Sequence, residues 1–163
     1  MADGETDGAG PADRTPESTP LLLDVMCGTL ATYLRMCGYD AVYALDRDVE
    51  ADERIREIAA AEDRTVLTRD EELAARADDA VLLTERDPLD QLRELREDGF
   101  QVELDETPSR CGRCNGRLRR LPADAERPDY APDEGPVWRC RDCGQCFWKG
   151  SHWERVEDRL ETL

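Results

Sequence analysis

Apolar positions in this chain fall in short blocks, and the spacing within the blocks switches repeatedly between two kinds. Leu21-Leu22-Leu23-Asp24-Val25 is a short run, apolar but for one acid, that breaks at Gly28. Leu30, Leu34 and Cys37 then recur at helical spacing, with Gly38 as a stop signal. Ala41-Val42-Tyr43-Ala44 reads as a second strand, and Ile55, Ile58 and Ala59 as the stripe of a second helix. Thr65-Val66-Leu67-Thr68 is strand-like again, and Asp70 is placed to cap a short helix through Leu73 and Ala77. Ala80-Val81-Leu82-Leu83 is a fourth strand. Asp87-Pro88 then opens a helix carrying Leu89, Leu92 and Leu95 up to Gly99, with a last strand expected near Phe100 to Leu104. Strand alternating with helix predicts an α/β fold, a parallel sheet flanked by helices. The unit spans 21–105.

The pattern changes on either side of that unit. Residues 1–20 hold five acids, one arginine, Pro11, Pro16 and Pro20, with no apolar periodicity, and read as a disordered acidic tail. Residues 106–163 are proline-rich in their middle (Pro122, Pro128, Pro132, Pro136) and contain two C-x-x-C turns, Cys111–Cys114 and Cys140–Cys143. Two such knuckles, each closed by glycine at or just after the second cysteine, form a tetrahedral four-thiolate zinc site. A segment of this size and composition has too little apolar material to fold by burial alone, so zinc supplies its folding energy. Four sulfur ligands leave no open position, which makes this zinc structural. Cys146 repeats the spacing from Cys143 but is superfluous to a site already holding four thiolates.

Charge alters the picture of partners. The 163 residues carry 39 acids and 22 bases for a net charge of -17, and among the bases only Lys149 is lysine. An acidic, arginine-only surface points to adaptation to molar intracellular salt, where the Debye length shrinks to about 3 Å. The alternative is an arginine-biased genome with an acidic partner surface. Residues 21–105 are net -13 whereas 106–163 are neutral, with Arg110, Arg113, Arg117, Arg119 and Arg120 crowded together. Such a local basic cluster on an acid-rich chain is a candidate nucleic-acid contact. Trp138, Trp148, Trp153 and Phe147 interleave with Arg139, Arg141 and Lys149. These rings either stack on unpaired bases, a contact that tolerates salt, or build the ribbon's own small core. No apolar run approaches the roughly 20 residues that span a bilayer, and the first residues lack a leader pattern, so a cytoplasmic protein without membrane contact is expected.

In a parallel α/β sheet, function gathers at the carboxyl ends of the strands. Here those ends carry Asp24, Asp46, Asp48, Asp70 and Asp87, with Asp52 at the start of the second helix. Carboxylates brought to one edge repel unless a divalent cation neutralises them, and oxygen ligands suit magnesium or manganese. Such ions activate water against a phosphodiester. Asp70 and Asp87 also serve as helix caps, and Asp46, Asp48 and Asp52 also read as acidic surface. Asp24 differs because a carboxylate inside an apolar run is costly to bury without a partner. A dinucleotide glycine turn and a Walker loop are absent, and Cys27 and Cys37 have no histidine nearby in sequence, with Cys37 on the apolar stripe.

Several blocks together resemble a known family. They are Leu23-Asp24-Val25-Met26, Gly28-Thr29-Leu30-Ala31, Tyr33-Leu34-Arg35-Met36 and Gly38-Tyr39-Asp40 at the start. Asp52-Glu53 with Ile55, Arg64 to Leu67, Thr68-Arg69-Asp70 and Gln91-Leu92 follow. Ser109-Arg110-Cys111, Cys114-Asn115, Cys140 and Cys143-Gly144 with Trp148 and Gly150-Ser151-His152-Trp153 close the series. In this order over about 21–155 they are similar to the Mut-seven carboxy-terminal RNase domain, a PIN-like family with a C-terminal zinc ribbon. The resemblance implies a metal-dependent ribonuclease whose acidic centre includes Asp24, Asp52 and Asp70, using magnesium or manganese. The ribbon, held by zinc on Cys111, Cys114, Cys140 and Cys143, would present single-stranded RNA. The rival expectation is a non-catalytic zinc-ribbon module, binding RNA or protein, on a degenerate PIN-like scaffold.

Overall fold

The structure, a computed structural model, describes residues 14–163. The tail expected over 1–20 lies outside the described residues up to residue 13. The seven residues after it are held: Arg14 donates to Gly99 O (3.0 Å) and to Asp79, and Thr19 is buried.

Four parallel strands form the sheet: β1 (Leu21–Leu23), β2 (Ala41–Tyr43), β3 (Thr65–Thr68) and β4 (Ala80–Leu82), in the order β2-β1-β3-β4. The connections are helix α1 (Gly28–Met36), a 3-10 turn (Ala44–Arg47) with α2 (Asp52–Glu62), and α3 (Glu71–Arg76), with α4 (Pro88–Glu97) following β4. Strand periodicity sorts side chains to two faces. Leu21, Leu23 and Leu67 pack against α1 and α4, while Leu22 and Val66 pack against α2 and α3. Both faces are therefore covered, which explains why β1 is an unbroken apolar run.

The strand expected near Phe100–Leu104 is not formed. Phe100 and Val102 are buried in alternation, but the segment makes only an isolated bridge to Arg14, and Asp105 N–H goes to Met36 O at the end of α1. Alternation correctly reported burial; among the described residues the pairing is limited to that one bridge.

The C-terminal segment folds as an antiparallel ribbon of β5 (Leu118–Arg120), β6 (Trp138–Cys140) and β7 (Cys146–Phe147), followed by helix α5 (Ser151–Glu161). Leu121, Val137 and Cys146 make a small core of its own, joined by Trp148. Helix α5 instead inserts Val156 and Leu160 into the core that holds Leu92 and Leu95. Among the described residues no helix is long and apolar enough to cross a membrane.

Candidate active site and metal centre

Strand order reverses between β1 and β3, since the chain leaves β1 toward β2 and leaves β3 toward β4. Outside the carboxyl ends of such a pair lies the crevice where open α/β sheets bind ligands. Asp24 follows β1 there and is only 4% exposed. Its Oδ1 accepts from Val25 N–H at 2.7 Å and its Oδ2 from the Thr68 hydroxyl at 2.7 Å. Thr68, fully buried on β3, accepts in turn from Asp70 N–H at 3.0 Å. A chain of hydrogen bonds thus links the ends of both strands.

Asp70 caps α3 through Oδ1, which accepts from Glu72 and Leu73 N–H at 2.9 and 3.2 Å. Asp52 opens α2 at the same edge and is exposed. Partial desolvation, then the negative charges of Asp70 and Asp24, push the Asp52 carboxyl above the ordinary range. The three acids share one edge, but they are not drawn together as tightly as the cysteines described below. Of the other strand-end acids, Asp87 caps α4 by accepting from Leu89 N–H (2.8 Å), and Asp46 faces the buried Arg35 at 3.5 Å. Asp48 takes a left-handed conformation at the end of the 3-10 turn, with φ 58°.

Sequence reasoning missed the supporting side chains. Tyr43 donates its hydroxyl to Val25 O at 2.6 Å, and a Cβ on Gly28 would meet its ring at 3.0 Å, so glycine is what lets Tyr43 close over the loop behind Asp24. Arg69, between Thr68 and Asp70, has its Nε buried without a hydrogen-bond partner among the described residues. Its charge reaches both Cys27 and Glu94. Glu94 collects the N–H groups of Thr84 and Glu85 beyond β4. The signal for Thr68 is its alternation on a buried strand, where a hydroxyl demands a partner. Cys27 is buried, and desolvation with the charge of Asp24 pushes its thiol up to about 11; burial pushes Cys37 up to about 12. Both are neutral thiols at physiological pH and poor nucleophiles.

The sulfur atoms of Cys111, Cys114, Cys140 and Cys143 lie within 4.8 Å of one another, the only such group of three or more potential ligands among the described residues. Cys111–Cys143 and Cys114–Cys140 separations are 3.7 and 3.5 Å. A tetrahedron with Zn–S near 2.3 Å requires about 3.8 Å between sulfurs, so the four are positioned to hold a metal such as zinc. Backbone N–H groups of Asp142 and Cys143 point at Cys140 Sγ (3.4 Å each). Burial opposes ionisation of Cys140, but these donors outweigh it and lower its pKa to about 7. Cys146 stands apart from the cluster, in the ribbon's core.

The first knuckle also docks the ribbon. Gly112 O accepts from Arg35 Nη1 (3.1 Å) and Thr32 Oγ1 (3.4 Å), both on α1. Asn115 Oδ1 accepts the N–H of Ala41, on edge strand β2, at 2.9 Å, and its Nδ2 donates to Asp40 at 2.8 Å. Between ribbon and α1 lies a hollow of about 480 Å³ lined by Met36, Phe147, Trp148 and Trp153 with Arg35 and Arg113. Trp138, by contrast, is buried in the ribbon.

A sequence model of the Mut7-C RNAse domain matches residues 19–160, nearly the whole chain. No curated protein and no solved structure matches.

Proposed function

The chain belongs to the Mut7-C RNAse domain family, and from that premise we propose that it is a divalent-metal-dependent endoribonuclease centred on Asp24, Asp52 and Asp70. The observation that carries the reading is the set of acids at the switch point. One is buried and fixed by two donors, and the carboxyl pKa of Asp52 is raised by partial desolvation and by the charges of Asp70 and Asp24. Carboxylates that feel one another's charge at one edge favour a shared cation, and an all-oxygen donor set suits magnesium or manganese. A cation held there supplies Lewis-acid polarisation of a phosphoryl oxygen and a more acidic bound water.

The residues divide the remaining work. Thr68 and Val25 N–H orient Asp24 so that its carboxylate cannot rotate away. Asp70 is anchored through Oδ1 as a helix cap, which leaves Oδ2 outside the cap. Hydrolysis forms a bond from water oxygen to phosphorus, breaks one phosphodiester bond, and leaves a phosphate monoester and a free hydroxyl.

The test is cleavage of single-stranded RNA with manganese or magnesium in molar salt. Asp24→Asn keeps shape but removes a charge, so activity should vanish with the fold intact. Asp70→Asn should do the same at some cost in capping. Asp87→Asn, a cap only, should stay within a few-fold of the parent. Cleavage persisting in Asp24→Asn would place the chemistry elsewhere. No cleavage by the parent on a broad RNA panel would leave the non-catalytic binding module.

A further inference from the structure

The arginines that crowd the last third of the sequence separate in the structure into two groups. Arg110 and Arg113 are engaged: Arg110 donates to Asn115 O (3.2 Å) and pairs with Asp40, and Arg113 donates to Gln145 (3.1 Å). Arg117, Arg119 and Arg120 on β5 and Arg139 and Arg141 on and after β6 are exposed, and none forms an ion pair among the described residues. Arg119 stands directly opposite Arg139 in the antiparallel register, and Arg141 N–H bonds Arg117 O one step along the ladder. Arg117, Arg120 and Arg141 line, with Trp138, a cleft of about 420 Å³.

Like charges directly opposite each other destabilise a strand pair. Arg119 and Arg139 carry like charge on directly opposite residues, with Cβ atoms about 5 Å apart, in a chain with 39 acids available to neutralise them. Folding gains nothing from that arrangement. Along one strand, residues on the same face repeat at about 7 Å, comparable with the step between phosphates of an extended single strand. The net charge of -17 would repel a polyanion at long range, so attraction has to be local. In concentrated salt, fields reach only about 3 Å, and arginines in direct contact with phosphate still act.

We propose that the ribbon face carrying the opposed pair Arg119 and Arg139, extended by Arg117 and Arg141 at the same strand parity, is a binding site for the phosphate backbone of single-stranded RNA. It rests on the reading that the chain acts on RNA and deepens it, assigning strand capture to the ribbon and cleavage to the acids.

The experiment measures binding of fluorescent oligouridylate, as a function of potassium chloride, in the Asp24→Asn protein without magnesium or manganese. Arg119→Glu converts a repulsive cross-strand pair into an attractive one. Its ribbon should melt at the same or a higher temperature with metal content unchanged, while affinity falls at least tenfold. The slope of log K against log salt should shrink by about 0.7 for each phosphate that the variant no longer neutralises. Arg139→Glu, the mirror substitution, should behave alike. Arg76→Glu, the same charge change on α3, should leave the slope in place. Affinity within twofold of the parent in both ribbon variants overturns the proposal. So does polyglutamate competing as well as RNA, which would make the surface a site for acidic proteins. Binding that follows these expectations without any cleavage by the parent would uphold this inference and overturn the catalytic one.

Discussion

Asn115 is the residue on which the ribbon's docking can be measured. Its φ of 72° lies in the left-handed region, its Oδ1 satisfies the Ala41 N–H on the open edge of β2, and its Nδ2 meets Asp40. Asn115→Gly keeps the backbone conformation and removes both side-chain bonds. A buried N–H left unpaired costs about 1–3 kcal/mol, and the bond to Asp40, which Arg64 still neutralises, about 1 more. The expected loss is roughly 2–4 kcal/mol, a large part of the stability of an ordinary domain. Asn115→Ala adds left-handed strain and should lose about 1 kcal/mol further. Asn115→Asp restores the acceptor for Ala41 but sets a carboxylate against Asp40. Burial raises the Asp40 pKa, but the hydrogen bonds of Arg64 and Asn115 and the charges of Arg64 and Arg110 outweigh it and lower it. A pKa lowered by folding stabilises above the unfolded value and is lost as pH falls, so parental stability should drop below about pH 4. The assay is urea unfolding of metal-loaded protein in molar potassium chloride. A loss under about 1 kcal/mol for Asn115→Gly at unchanged metal content, or equal losses for glycine and alanine, would refute the reasoning.

Two further outcomes are expected. Cys140→Ser should abolish binding of one zinc per chain and melt the ribbon sheet while helix α5 stays protected from hydrogen exchange through Val156 and Leu160, whereas Cys146→Ser should keep the metal; metal retained in Cys140→Ser, or lost in Cys146→Ser, contradicts the ligand assignment. Moving the protein from molar potassium chloride to dilute buffer should lower its melting temperature, because the acids of the α/β unit then repel over about 10 Å or more; a flat or rising melting temperature would defeat the salt-adaptation reading.

The α/β order is legible in the sequence because each strand is short, built of apolar and β-branched residues, and punctuated by glycine or a capping acid. Asp24 is legible as an exception inside such a run, and the knuckles as a spacing. Helix α5 is masked, although Trp153, Val156 and Leu160 carry its stripe, because the aromatics before it suggest a binding surface. Phe100 and Val102 show the opposite error: strand periodicity with burial but, among the described residues, only a single bridge to Arg14. The roles of Asn115, Arg35 and Thr68 depend on residues more than 40 positions away in the chain, or on an unsatisfied strand edge, and neither leaves a local pattern. In the sequence the basic cluster is one group. Only the cross-strand register shows that two of its members bind the protein itself while the others join arginines from the second knuckle.

Helix α1 ties these parts together. At its first residue, Gly28 permits the close approach of Tyr43, whose hydroxyl holds the backbone just after Asp24. Farther along, Thr32 and Arg35 hold Gly112 of the first knuckle. The helix has nine residues, about 13.5 Å end to end, so the acidic edge and the ribbon are spaced by one rigid element rather than a linker. Arg35 is 4% exposed and also donates its Nε to Ala41 O at 2.9 Å, so one planar side chain fixes the sheet edge and the knuckle at once. Lysine could not replace it, since a single ammonium lacks the fork that reaches both carbonyls. Under the proposed function, an RNA strand captured on the ribbon would therefore meet the acids at a set distance, and the ribbon's docking bonds would help to set where it is cut.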